Sequence, residues 1–330
     1  MRLANLFRDH MVLQAEKPVR FFGFGKGEIE VRFDNKKYVG TMTTETWVFE
    51  IEAQPYGEPL TLIVRLNDDQ VEFRDCVFGD VFLFAGQSNV QFSLDSETPR
   101  EPVAPNDRIR YYVSDRIQSH DGLKSAAGWR VCGDETFYYW SAIAYHTSEY
   151  YWQEKGGYVG AIGCFQGGSG IRSWLPKSVL DESFTLPIEK MHGDYRNEPY
   201  CLWNHDSALY EHTFLPLVPF SFKGVIWYQG ESDSTIEESK IYKEFLKRLI
   251  RTWRKDLDDE EMPFVIVQIC DFVYRDDEGW KGIQKAQEEF AQENKGVFLV
   301  TSSDVCERDD IHPSNKRALS EKIKDIITKW

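Results

Sequence analysis

Val81-Phe82-Leu83-Phe84-Ala85-Gly86-Gln87-Ser88-Asn89 is an apolar run of strand length that ends in a small residue and a glycine and then presents a serine. In α/β proteins, ligands and catalytic groups collect beyond the carboxyl ends of such strands. A serine held there becomes a nucleophile when a base reaches it. Far downstream, Asp309-Asp310-Ile311-His312-Pro313 offers a histidine with carboxylates three and two residues before it. An early serine and a late Asp/His pair point to a hydrolase that forms a covalent intermediate.

The chain has 330 residues, 42% hydrophobic and 15% aromatic, which suits a folded globular protein of one large or two modest domains. A formal charge of −15 argues against nucleic acid or an anionic membrane as partner. That charge also means any recognition of an acidic substrate has to be local. The six cysteines are scattered, with no CxxC pair, and read as buried thiols rather than a disulfide scaffold. No signal-peptide core and no membrane-length apolar run is present, so a cytoplasmic protein is expected. Homo-oligomer formation is left open.

Residues 1–78 carry short strand-like pieces, Val19–Phe22, Ile29–Phe33, Trp47–Ile51, Leu60–Leu66 and Gln70–Phe73, separated by turn residues such as Gly25-Lys26-Gly27 and Asp34-Asn35. This pattern predicts a small all-β sandwich domain, with a boundary near Cys76–Gly79. Residues 79–330 alternate strands with helices. Val81–Ala85, Tyr158–Cys164, Gly224–Tyr228, Pro263–Cys270 and Gly296–Thr301 read as parallel strands. Ser141–Lys155, Glu237–Arg254, Gly282–Gln292 and Ser314–Lys329 read as helices. The alternation predicts a doubly wound parallel sheet with helices on both faces. Ser93–Gly133 and Ser178–His212 read as long loops that shape a pocket.

Three of the strands end in polar or small residues: Gly86-Gln87-Ser88-Asn89, Gln166-Gly167-Gly168-Ser169, and Gln229-Gly230-Glu231-Ser232-Asp233. A parallel sheet brings these loops to one edge, together with the loop leading to His312. An ester hydrolase needs a nucleophile, a base, a group to orient the base, and donors for the oxyanion. Each part also has a plain structural reading. A serine after a strand is usually an N-cap, paired glycines make tight turns, and acids near a helix start are common. Singly these readings prevail; in this combination and order they do not. The seven histidines show no HExxH or paired ligand spacing, so no metal and no cofactor is expected.

Taken together, Gly86-Gln87-Ser88-Asn89, Gly167-Gly168-Ser169 with Trp174, Trp227-Tyr228-Gln229-Gly230-Glu231-Ser232-Asp233, and Asp310-Ile311-His312-Pro313-Ser314-Asn315-Lys316 resemble the sialate O-acetylesterase family of the SGNH (GDSL-like) hydrolase superfamily. Leu6-Phe7-Arg8-Asp9-His10-Met11-Val12-Leu13-Gln14 resembles that family's opening β-domain. No GxSxG elbow surrounds Ser88, so a lipase-type α/β-hydrolase is not indicated. The resemblance implies a three-layer α/β/α domain with a flavodoxin-like sheet, Ser88 as nucleophile and His312 as base. It implies an oxyanion hole from the backbone N–H groups of Ser88 and Gly168 and the side chain of Gln229. The superfamily pattern points to Asp309 as the residue orienting His312, the narrower family pattern to Asp310, and a backbone carbonyl would need neither. Where the family commonly shows Asp-Leu-Gly, this chain reads Asp304-Val305-Cys306.

The implied reaction is removal of an acetyl ester from O-acetylated sialic acid. An acetylxylan or acetylmannan esterase is the alternative within the same chemistry, and an inactive carbohydrate-binding protein is the rival from another class. Gln87, Arg172, Trp174 and Glu231 are candidate substrate contacts. Arg172 and Arg196 are candidates for a sialate carboxylate, and Trp174, Tyr195, Tyr200 and Trp203 for stacking on sugar faces.

Overall fold

In the computed structural model of the protein, residues 1–100, 102–118, 122–124, 128–133, 137–180, 201–275 and 277–330 are described, with residues 118 and 122–124 described by backbone alone. Tyr195, Arg196 and Tyr200 lie outside the described residues.

Period-two alternation in the first part of the chain produces β1 (Arg2–Leu3), β2 (Val12–Gln14), β3 (Val19–Phe24), β4 (Gly27–Phe33), β5 (Lys36–Met42), β6 (Thr46–Ile51) and β7 (Leu60–Leu66). β3 pairs antiparallel with β1 and β6, while β4 pairs antiparallel with β5 and β7. Strand β5 was not anticipated. Its residues are mostly polar or half-exposed, so no apolar alternation marks it, and its register comes from the tight turn after β4.

The next strand, β8, is 18 residues long and runs from Asp69 to Gly86. Its first half pairs antiparallel with β7, Val77–Gly79 pair parallel with β2, and Asp80–Gly86 enter the central sheet. The boundary expected at Cys76–Gly79 therefore falls inside one continuous strand.

After β8 come α1 (Ser88–Gln91), β9 (Asn106–Val113), β10 (Arg116–Gln118), β11 (Gly122–Lys124), β12 (Arg130–Cys132), α2 (Ala142–Lys155) and β13 (Val159–Phe165). Then follow β14 (Gly224–Tyr228), α3 (Ile236–Asp256), β15 (Phe264–Val267), α4 (Glu278–Glu293), β16 (Val297–Val300) and α5 (Arg317–Ile327). The central order is β12-β9-β13-β8-β14-β15-β16, parallel throughout except for β12. Helix starts are fixed by side-chain caps: Ser141 Oγ accepts from the Ala144 N–H at 3.2 Å, Thr235 from Glu238 at 3.2 Å, and Asp277 from Trp280 at 2.9 Å.

Because successive strand residues face opposite sides, β8 serves two cores. Val81, Leu83 and Ala85 pack with α3 and α4 residues such as Leu246, Leu249 and Ile283, a core continuous with that of the amino-terminal strands. Phe82 and Phe84 pack with Ile143, Tyr145, Leu319 and Ile323 of α2 and α5. The result is a mixed α/β architecture with helices on both faces of a mostly parallel sheet. Among the described residues, no helix is long and apolar enough to cross a membrane. The six cysteines form no disulfide.

Ser93–Gly133 is not simply loop, because it supplies β9 and β12 to the central sheet and the β10–β11 hairpin beside it. Arg108 and Arg110 interrupt the hydrophobic pattern of β9 and hide it in the sequence. Arg110 is buried nonetheless, because its guanidinium donates to the His10 and Asp75 carbonyls and to the Asp75 carboxylate, the last at 2.9 Å.

Candidate active site

The register of the central strands sets the site. Gly86 on β8 is opposite Phe165 on β13 and Tyr228 on β14, so three strands end at one level and their loops leave side by side. Gly86 has φ +135°, and a Cβ there would come within 2.0 Å of the Tyr228 carbonyl oxygen. Only glycine allows the chain to turn so tightly out of the strand into α1. Ser88 opens that helix, half-buried, with its N–H at a position that has no intrahelical acceptor.

His312 reaches the serine from the loop between β16 and α5. Its Nε2 is 2.8 Å from Ser88 Oγ, across 224 residues of sequence. The two share a cleft of about 440 Å³, lined also by Gln91, Phe92, Arg116, Phe165 and Gly167 and rimmed by the exposed Tyr139. Burial lowers the pKa of His312 below its ordinary 6.5; the Lys316 ammonium lowers it further and Asp310 opposes. The imidazole is therefore neutral at neutral pH and able to take a proton.

The Asp310 carboxylate accepts the backbone N–H of His312 at 2.8 Å, a local turn that shapes the loop. Asp309, to which the superfamily pattern points for orienting the imidazole, is exposed. Among the described residues no carboxylate hydrogen-bonds the His312 ring. Proximity in sequence brings both acids near, but the turn directs Asp310 to the backbone instead.

The glycine turn after β13 lies against the serine: a Cβ on Gly167 would sit 3.6 Å from Ser88 Cβ. The Gly167 N–H donates to Gln91 Oε1 at 2.8 Å, tying the turn to α1. Gly168 adopts φ +67°, and Asn204 Nδ2 holds its carbonyl at 2.8 Å. Among the described residues its N–H has no acceptor.

The loop after β14 behaves differently. Gln229 is fully buried, and its Nε2 donates to Gln87 Oε1 at 3.1 Å, the Ser169 carbonyl at 3.0 Å and Asp233 Oδ2 at 2.5 Å. Its Oε1 accepts from the Tyr242 hydroxyl at 2.9 Å. The amide is thus closed into the interior and not aimed at the cleft, which corrects its expected place in the oxyanion hole. Gln87, expected to contact substrate, is also buried and accepts the N–H groups of Gly230 and Ser232. Trp174 is 0% exposed, donates to Ser169 Oγ at 3.1 Å and packs edge-on against Trp227, so it is core and not a sugar platform. Arg172 is bound by Asp206, Nε to Oδ1 at 2.9 Å and Nη2 to Oδ2 at 2.5 Å, and is not available to a substrate carboxylate.

Glu231 is buried as well, and its role is to hold the site's frame. Its Oε1 accepts from Asn89 Nδ2 at 2.6 Å, while Asn89 Oδ1 accepts from Lys316 Nζ at 2.6 Å. Asn89 Nδ2 also donates to the Ile311 carbonyl at 2.9 Å. One buried amide therefore bridges an anion and a cation and fastens the residue before His312 to the residue after Ser88. Burial raises the pKa of Glu231, and burial pushes that of Lys316 down to about 8. Asn89 and Lys316 stand inside the motifs that drew attention to the site, but nothing in their residue type announced this coupling. Gln91, Arg116 and Tyr139 carried no motif signal.

Comparison with known proteins identifies the family. The model of the family described as carbohydrate esterase, sialic acid-specific acetylesterase matches residues 78–323. The chain is similar to the sialate O-acetylesterase of Homo sapiens, 23% identical over 98% of this chain and 69% of that protein. It is likewise similar to that of Mus musculus, 24% identical over 98% and 72%. The crystal structure of a carbohydrate acetylesterase from Xanthomonas citri superposes with a TM-score of 0.82 at 27% identity, covering 97% of this chain and 72% of that one. The family match extends over most of the molecule and includes both Ser88 and His312; the chain belongs to the sialic acid-specific acetylesterase family of carbohydrate esterases.

Proposed function

We propose that the protein hydrolyses an acetyl ester on a carbohydrate hydroxyl through an acetyl-Ser88 intermediate, within an SGNH-type α/β/α domain preceded by a β-sandwich. The 2.8 Å contact between Ser88 Oγ and His312 Nε2, opening on a cleft, is the observation that carries this reading.

In the first step His312 Nε2 takes the Ser88 hydroxyl proton as Oγ attacks the acetyl carbonyl carbon. The tetrahedral oxyanion is received by the N–H groups of Ser88 and Gly168, two backbone donors left without protein acceptors among the described residues. Collapse expels the sugar oxygen, which takes the proton from His312. Water then attacks the acetyl-serine, with His312 removing its proton, and acetate leaves while Ser88 is regenerated. Gln229 supports the walls of this site and does not touch the reacting atoms. Asp310 shapes the His312 loop and, through its charge, raises the imidazole's basicity. The family description and the two mammalian relatives favour O-acetylated sialic acid as substrate over acetylated xylan or mannan.

The test is acetate release from O-acetylated sialic acid and acetylated xylo- and manno-oligosaccharides by wild type and Ser88→Ala. Loss of about 10⁴-fold or more in the mutant is expected. A folded Ser88→Ala variant with wild-type turnover would exclude the covalent mechanism, and sugar binding without acetate release by wild type would favour a binding protein.

A further inference from the structure

The cleft of Ser88 and His312 contains a cation without a carboxylate partner among the described residues. Arg116 opens β10 and lines the cleft together with Phe165, Gly167 and the two reacting residues. Its Nε is buried without a hydrogen-bond partner. Among the described residues no carboxylate pairs with it, although acids outnumber bases 54 to 39 in the chain. Other arginines near the site show what is missing: Arg172 is held by Asp206 and Arg100 by Asp95. The guanidinium carbon stands 5.7 Å from the centroid of Phe165, a ring that offers cation–π attraction but accepts none of the five N–H donors. Desolvation lowers its pKa, yet a guanidinium remains charged.

An unpaired, partly desolvated cation is costly unless something fills its donors. The empty space in front of it is the space in which the substrate has to lie. A cleft of about 440 Å³ has room for a monosaccharide. Phe165 immediately precedes the Gln166–Gly168 turn that meets Ser88, so a sugar whose acetyl carbonyl sits at Ser88 can extend along this wall toward the guanidinium.

We propose that Arg116 is the subsite for a substrate carboxylate, and that it selects an O-acetylated sugar acid over a neutral acetylated polysaccharide. This rests on the acetyl-ester reading of Ser88 and His312 and names what distinguishes its substrate. A planar fork of donors matches a carboxylate bidentately, which a neutral xylosyl or mannosyl unit cannot return. The residue escapes a sequence reading because it lies in a segment without motif or periodicity, whereas Arg172, beside a motif, is already paired.

Acetate release measured on O-acetylated sialic acid, on its carboxylate methyl ester and on acetylated xylo-oligosaccharide tests the subsite. Wild type, Arg116→Gln and Arg116→Lys are compared, with melting temperatures as a control for folding. For Arg116→Gln, the loss of kcat/KM on the free acid should exceed that on the methyl ester by about 30-fold, appearing mainly in KM. Arg116→Lys should fall between, because an ammonium keeps the charge and loses the fork. Equal losses on all three substrates would assign Arg116 a structural role and overturn the proposal, as would full activity of Arg116→Gln on the free acid. Wild type that hydrolyses only the neutral ester leaves the esterase intact and removes the subsite. Wild type inactive on every ester removes the reading beneath it.

Discussion

Two walls of the same sheet edge look alike in sequence and differ in the folded chain. On one, the loops after β8 and β13 bring Ser88 and Gly167 to the cleft, and among the described residues the Gly168 N–H has no protein acceptor. On the other, the loop after β14 turns inward, where Gln229 donates to Gln87 and Asp233, Asp233 accepts the Ile171 N–H, and Glu231 accepts from Asn89. Polar residues at a strand end can therefore be chemistry or framework. What separates them is whether their hydrogen bonds close within the protein.

The largest test of this division after the serine itself is Asn89→Ala, which cuts the tie between the Ser88 helix and the Ile311 carbonyl. Loss of about 100-fold in kcat is expected, since a small misplacement of base from nucleophile suffices. A kcat close to wild type would mean that His312 is positioned without this amide.

Gln229→Ala sharpens the contrast further. As framework, the residue should show its loss in unfolding free energy, about 1–3 kcal/mol from partners left unsatisfied. As an oxyanion donor it would instead lose about 10²–10³-fold in kcat with stability retained. Denaturant titration beside kinetics separates the two, and the account requires the first.

A smaller effect concerns the pH profile. His312 has a depressed pKa, so activity in wild type should persist below pH 6.5 and fall as the ring takes a proton. The Lys316 ammonium disfavours that second positive charge. Lys316→Met should therefore raise the His312 pKa and move the acid limb of kcat/KM to higher pH. A limb that stays in place or moves to lower pH contradicts the assignment. Least of all should change in Asp309→Asn: with its carboxylate off the His312 ring, kcat is expected within about threefold of wild type, far from the large loss seen when an orienting triad acid is removed.

The sequence made the parallel strands, the helices and the Ser88–His312 pairing legible because each rests on local pattern: apolar runs, caps and ordered motifs. Other features depend on tertiary closure. β9 is masked by Arg110, whose charge becomes acceptable only once the Asp75 carboxylate and carbonyls surround it. Trp174 read as a sugar platform because an aromatic next to a motif has no local mark of burial. Gln229 and Gln87 read as site residues because an amide's partners are invisible until the chain is folded. Arg116 was missed for the opposite reason, since its significance is that no carboxylate among the described residues pairs with it.

The central claim is the covalent role of Ser88. Rapid quenching of wild type during turnover of an acetyl ester, followed by peptide mass analysis, tests it most directly. The account predicts one acetyl group on the peptide containing Ser88, absent from Ser88→Ala together with acetate release. An acetyl adduct on another residue, or undiminished turnover by Ser88→Ala, would contradict it.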